Sequence, residues 1–218
     1  MHLLSQPTKL FAMIKRTNGY LLLLMLVLTG LAGRIHSDSL SGKERRLLNN
    51  NLKESKSVLL KSVSNLSEAQ LNFKPAPDQW SIKECIVHIA LTEKMLWDMA
   101  TTAMKGPSTP EKRADVKFKD EEILKTMSDR SNKVKTFPAL EPQNATFTST
   151  EAALSDFKAN RQNLLRYVKT TTEDLRNHMT NLSFGTIDVY QLLLGISAHT
   201  TRHTQQIQEI KADPAFPK

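Results

Sequence analysis

The sequence predicts an all-α fold, a four-helix bundle with one long crossover connection, preceded by a signal peptide. Three observations carry that expectation. Helix-start signals recur, with Ser or Thr followed three residues later by Glu at Ser41–Glu44, Ser81–Glu84 and Thr148–Glu151. Apolar residues downstream of them are spaced three or four apart, and no sustained run of alternating β-branched residues argues for a sheet. Glycine is scarce, at 7 of 218 residues, and aromatics make up 6%, leaving a composition dominated by helix-compatible residues. The length suits one domain with a substantial core and is too short for two large ones.

The N-terminus reads as a targeting segment. Lys9, Lys15 and Arg16 form a basic start, no acidic residue occurs before Asp38, and an apolar stretch runs from Tyr20 to Leu31. Gly30 and Ala32 supply the small residues of a signal-peptidase site. The apolar stretch falls short of the roughly 18–20 residues that span a bilayer, which favours cleavage and export over stable membrane insertion. Without a cysteine after it, a lipoprotein anchor has no support. The expected organisation is residues 1–32 as signal peptide (or N-terminal anchor), 33–40 as a flexible start, 41–213 as the bundle and 214–218 as a tail.

The first helix starts at the Ser41–Glu44 capping box and carries the stripe Leu48, Leu52, Leu59, Val63 and Leu66. Ser67 and Gln70 mark a short turn of helix before Lys74-Pro75-Ala76-Pro77 breaks the chain. The second long helix opens at Ser81–Glu84, buries Ile82, Ile86, Ile89 and Leu96, places Cys85, His88, Thr92 and Met95 on an adjoining strip, and ends before Gly106-Pro107. Residues 106–147 are punctuated by Pro107, Pro110, Pro138 and Pro142, with one modest helix expected around Phe118 to Lys135. A connection of that length lets the flanking helices run parallel. The third helix is expected to open at Thr148, with Leu154, Phe157, Leu164, Leu165 and Val168 as its stripe. The fourth follows the Phe184-Gly185-Thr186 turn, capped by Thr186, and stops at Asp213-Pro214.

Charge and cysteine content exclude two classes. The net charge of +8 drops to about +5 once residues 1–32 are removed, and the remaining charges alternate in sign along the chain. With no concentrated basic surface or recognisable reading element, nucleic-acid binding is not expected. Cys85 is the only cysteine, so no intramolecular disulfide can form and the core alone must hold the fold.

The chemistry lies in the register of the fourth helix. Its core-facing positions are Leu192, Ile196, His199, His203, Ile207 and Ile210, so two histidines stand where apolar residues belong. Residues four apart share a helical face, with Cβ atoms about 5–6 Å apart, and two such imidazoles can converge on one ion. Burying them unpartnered is unfavourable, and a metal resolves this by taking one nitrogen from each ring. A His-x3-His pair alone is also compatible with two histidines at a solvated bundle end. His88, in the apolar half of the second helix, adds a third candidate donor. His2, His36 and His178 are read as non-ligands. Glu84 is assigned to its capping box, and Glu93, turned about 140° from His88 on an ideal helix, is expected away from the donors. Arg161 and Asn160 either line a pocket or reach solvent. Cys85 reads as a buried filler, and Trp80 as packing at the start of its helix rather than holding a ligand.

Leu66-Ser67-Glu68-Ala69-Gln70-Leu71, Phe73-Lys74-Pro75-Ala76-Pro77, Trp80-Ser81-Ile82-Lys83-Glu84, His88 and His199-Thr200-Thr201-Arg202-His203 together resemble the DinB-like superfamily of metal-binding four-helix bundles, over roughly residues 45–211. The resemblance implies one metal-ligating histidine on the second helix and a pair on the fourth, which map onto His88, His199 and His203. It also implies a function among metal-dependent hydrolases and thiol-dependent transferases or isomerases, with pairing into a homodimer as in some relatives. The export segment and the long 106–147 connection depart from many members of the family.

Three neutral imidazoles leave an open coordination position, the arrangement of catalytic rather than structural sites. Nitrogen-only ligation suits Zn²⁺ or Ni²⁺ better than Mg²⁺ or Ca²⁺. The expected function is that of an exported, periplasmic or secreted metal-dependent enzyme acting on a small molecule. The alternative is a non-catalytic bundle that binds a metal or small ligand.

Overall fold

The computed structural model describes residues 39–131 and 135–218. The signal-peptide segment and most of the expected flexible start lie outside the described residues, so that expectation is not addressed by the structure. No helix among the described residues is long and apolar enough to cross a membrane.

Four long helices dominate: α1 (Gly42–Ser62), α3 (Ile82–Lys105), α5 (Thr150–Thr170) and α6 (Val189–Lys211). Two short ones accompany them, α2 (Glu68–Asn72) and α4 (Asp120–Ser128). The starts of α1, α2 and α3 are the capping boxes expected, each formed reciprocally: Ser41 with Glu44, Ser67 with Gln70, and Ser81 with Glu84. At each start a hydroxyl and a carboxylate or amide satisfy two backbone N–H groups that the helix itself cannot.

Elsewhere the boundaries differ from expectation for local reasons. The cap of α5 is Ser149, not Thr148: its hydroxyl accepts from the Ala152 N–H. The crossover helix covers only Asp120–Ser128, ending well before Lys135. The cap of α6 is Asp188, not Thr186, because residues 185–188 belong to a strand. That strand, β2 (Gly185–Asp188), pairs antiparallel with β1 (Met179–Leu182), Met179 opposite Asp188 and Leu182 opposite Gly185. The fold is therefore mostly helical with one small hairpin, and not strictly all-α. Gly185 has φ +142°, a conformation side-chain-bearing residues rarely adopt, which explains the glycine that closes this tight turn.

The buried apolar residues fall into two clusters. One holds Leu48 and Leu52 of α1, Leu96 and Ala100 of α3, Leu164 and Val168 of α5, and Val189 to Ile196 of α6. The other holds Leu59 and Val63 of α1, Ile82 to Ala90 of α3, Ala153 and Phe157 of α5, and Ile207 and Ile210 of α6. Following each helix between the clusters gives its direction: α1 and α6 run one way, α3 and α5 the other. The long connection thus lets α3 and α5 lie parallel, as its length predicts. Around the bundle, α6 packs against α1 and α3, and α5 packs against both of those as well.

Between the clusters sits one buried polar layer. Arg161 of α5 is fully buried, on the bundle axis. Its Nε and one Nη donate to the two Glu93 carboxylate oxygens at 2.6 Å each. The other donors reach the Leu52 carbonyl (2.7 Å), Ser55 Oγ (2.8 Å) and Thr200 Oγ1 (2.9 Å). All five guanidinium N–H groups are therefore used, and all four long helices are tied at one level. Of the two alternatives for Arg161, exposure to solvent is excluded.

Candidate metal centre

The histidines stand beside this polar layer, where α3 and α6 face each other antiparallel. On α6, His199 and His203 are four residues apart and share a face. On α3, His88 is the residue that meets them. The three rings are mutually in contact, with centroids 5.0 Å (His88–His199), 4.6 Å (His88–His203) and 4.5 Å (His199–His203) apart. One nitrogen from each ring lies within 4.8 Å of the others. His88 and His203 are buried, whereas His199 is partly exposed and forms the accessible side.

Hydrogen bonds fix two of the three tautomers. His88 Nδ1 lies 2.8 Å from the Leu140 carbonyl, an acceptor, so Nδ1 carries the hydrogen and Nε2 keeps its lone pair. His203 Nδ1 lies 2.9 Å from Gln206 Oε1. Arg130 also donates to that oxygen, at 3.2 Å. Since a guanidinium cannot accept, the atom it meets is the amide oxygen, and His203 Nδ1 must be the donor. Arg130 is itself held by a bidentate ion pair to Glu209, at 2.7 and 2.8 Å. His88 and His203 are thus each anchored through Nδ1 to a group behind the ring, leaving Nε2 as the available donor, which is how metal-ligating histidines are usually supported.

The dimensions and charge state suit an ion. His88 Nε2 and His199 Nε2 are 3.1 Å apart, close to the about 3.3 Å expected for two imidazoles on one tetrahedral zinc. Burial holds His88 below the ordinary imidazole range, with the Leu140 carbonyl pulling modestly the other way. Burial, then the neighbouring His203 and His88 rings, pushes His199 well below it. Burial, with His88 next, lowers His203 to about 3. All three rings are neutral at physiological pH, the state a metal requires. Trp80 closes one wall, its ring 4.8 Å from His88 and stacked at 5.9 Å on His203.

The residues read as bystanders are accounted for. Glu84 is occupied by its cap and by Lys74, at 2.7 Å. Glu93 belongs to Arg161. Cys85 is fully buried, and burial pushes its thiol pKa up, as expected of an inert filler. His178 lies between the Asp174 and Gly106 carbonyls, far along the chain from the cluster, at the hairpin.

Several supporting residues escaped the sequence reading. Leu140 acts through its backbone carbonyl, which no side-chain pattern reveals. Trp80 packs at its helix start, as expected, but also walls the site. Two signals were present in the sequence: Gln206 lies three residues after His203 on the same face, and Arg161 falls in register with Phe157, Leu164 and Val168.

Against known proteins, the sequence profile of the DinB superfamily matches residues 51–207. The chain belongs to the DinB superfamily. The uncharacterized protein YuaE of Bacillus subtilis (strain 168) is 29% identical over 150 residues, spanning 68% of this chain and 88% of YuaE. Among solved structures, YfiT from Bacillus subtilis superposes with a TM-score of 0.54 at 14% identity, covering 79% of this chain and 89% of YfiT. YfiT is described as a probable metal-dependent hydrolase with an unusual four-helix bundle topology. At that identity the likeness establishes the fold. The matched DinB region contains all three histidines and every residue of the polar layer.

Proposed function

We propose that this DinB superfamily protein binds one divalent metal through His88, His199 and His203, and that it is a metal-dependent hydrolase acting on a small molecule. The observation that carries the reading is the convergence of three neutral ring nitrogens, two with tautomers set by hydrogen bonds behind them. Zn²⁺ or Ni²⁺ fits this donor set best, because imidazole nitrogens are poor ligands for the harder Mg²⁺ and Ca²⁺. When bound, such an ion supplies Lewis acidity at an open coordination position. The chain's own groups orient the rings: Leu140 and Gln206 hold the Nδ1 hydrogens, Arg130 holds Gln206, and Trp80 excludes water from one side.

Hydrolysis is favoured over thiol transfer for two reasons. The fold neighbour YfiT is described in those terms. The basic-then-apolar N-terminus also supports export, away from the cytosolic thiols that transferases of this superfamily use. The export proposal is tested by the mass of the protein recovered from its native host, which should begin near residue 33.

The decisive experiment is elemental analysis of the protein beside the variant His199→Ala/His203→Ala, each reconstituted with Zn²⁺ and with Ni²⁺. About one equivalent in the parent, lost in the variant, is expected from a mononuclear site of this kind. No metal in the parent would refute the reading. A metal-loaded protein would then be screened against ester, amide and phosphoester substrates.

A further inference from the structure

Threonine hydroxyls inside helices ordinarily return to a carbonyl of the preceding turn. On α6 this holds throughout: Thr200 donates to Ile196 (3.1 Å), Thr201 to Ser197 (3.1 Å) and Thr204 to Thr200 (2.8 Å). On α3, Thr101 donates to the Asp98 carbonyl at 3.0 Å. Thr92 is the buried exception. It is 4% exposed, and its Oγ1 has no hydrogen-bond partner among the described residues.

A buried hydroxyl without a partner is unfavourable, so a place where one is kept calls for a reason. Thr92 lies four residues after His88, on the same face of α3 and one turn further along. Its neighbour Glu93 is level with Thr200 through Arg161, which places Thr92 beside the α6 turn that carries His199. The polar groups of this region are committed elsewhere. Arg161 has spent all five donors, and the Thr200 hydroxyl donates to Ile196 while accepting from Arg161. The Nδ1 hydrogens of His88 and His203 are engaged by Leu140 and Gln206.

The charge balance indicates what the missing partner is. Three neutral imidazoles contribute no negative charge, and the nearest buried carboxylate, Glu93, is already paired with Arg161. A divalent ion held there keeps both positive charges, which favours an anion in its open position. We propose that the Thr92 hydroxyl is the protein's hydrogen-bond donor to a small anion, or to the anionic group of a substrate, bound beside the three histidines. This rests on the metal-site reading above. Thr92 is a positioning residue for that ligand and not a ligand to the metal.

The test uses the full chain loaded with Co²⁺, as parent, Thr92→Val and Thr92→Ser. The visible spectrum reports metal binding, and azide is titrated as the probe anion. Thr92→Val is expected to take up one equivalent of Co²⁺ as the parent does, but to bind azide about fivefold more weakly, the effect of one lost hydrogen bond. Thr92→Ser, which keeps the hydroxyl, should stay within about twofold of the parent. The metal-free Thr92→Val protein should melt no lower than the parent, because its hydroxyl has no internal partner to lose. Equal azide affinity in the parent and Thr92→Val overturns the proposal, and so does a lowered melting temperature or the loss of Co²⁺ from Thr92→Val. Failure of the parent to bind Co²⁺ overturns the metal-site reading, and this proposal with it.

Discussion

Replacing Arg161 with methionine tests whether the buried polar layer holds the bundle together. The substitution keeps an apolar stem of similar length and deletes five hydrogen bonds, but their losses are unequal. Thr200 keeps its bond to Ile196, and Ser55 keeps a weak one to the Leu52 carbonyl at 3.4 Å. Glu93 loses its ion-pair partner while 2% exposed, so most of the cost is an uncompensated buried carboxylate. Removing one member of such a pair costs about 3–5 kcal/mol. For a domain of this size that lowers the melting temperature by roughly 6–20 °C. Burial already pushes the Glu93 pKa up, with Arg161 opposing it, so without Arg161 the carboxyl rises further and takes up a proton on folding. A folded pKa above the unfolded value makes stability fall as pH rises. The gap between variant and parent should therefore narrow as pH drops from 7 towards 4.5. Thermal unfolding of the metal-free proteins by circular dichroism measures both effects. The double variant Arg161→Met/Glu93→Leu should recover most of the loss, since replacing both partners leaves no orphan charge. A single variant within about 1 kcal/mol of the parent, or a double variant worse than the single, would refute the reasoning.

Other consequences are open to measurement. Gln206→Leu removes the acceptor behind His203 Nδ1, and metal affinity should fall about 10- to 100-fold by calorimetric titration, with stoichiometry unchanged. Metal affinity should fall less in acid than at an exposed site: three exposed imidazoles titrating near 6.5 would each lose about 25-fold between pH 7 and 5, whereas these rings, all held below that value, should each lose less. In the metal-free protein the same lowered values make stability fall as pH drops below about 6.5, where the unfolded chain takes up protons and the folded rings do not, with the His203 contribution levelling off near pH 3. Chemical denaturation at pH 7, 6 and 5 checks the sign.

The parts of the fold that local chemistry specifies were legible in the sequence. Capping boxes at Ser41, Ser67 and Ser81 are short-range hydrogen-bond patterns, and they appear where expected. The start of α5 was misplaced by one residue because Thr148 and Ser149 are both competent caps, and only the backbone geometry decides between them. The hairpin was missed for a different reason. Its strands, Met179–Leu182 and Gly185–Asp188, are four residues each, too short to show alternation, and they are supported by packing against α3 and α6. The histidine trio was legible because its members break an apolar register. The supporting shell was not, because Leu140 acts through its backbone and Arg130 reaches Gln206 from a separate part of the chain.

The same physical logic connects the polar layer to the candidate metal centre. In a helical bundle, neighbouring helices can slide by a turn with little loss of apolar contact, because leucines and isoleucines are nearly interchangeable partners. Three donors from two helices cannot tolerate such a slide, since about 5.4 Å along the axis would carry His88 past both α6 histidines. Arg161 supplies the missing constraint. Its bonds to Glu93 on α3 and Thr200 on α6 have directions and lengths that only one register satisfies. Thr200 follows His199 directly in the chain, and Glu93 lies little more than a turn beyond His88. An apolar layer at this level would serve stability as well, but it would leave the histidines without a fixed register. Metal affinity in Arg161→Met/Glu93→Leu should therefore fall even where stability is restored, which separates the role of the layer in positioning from its role in folding.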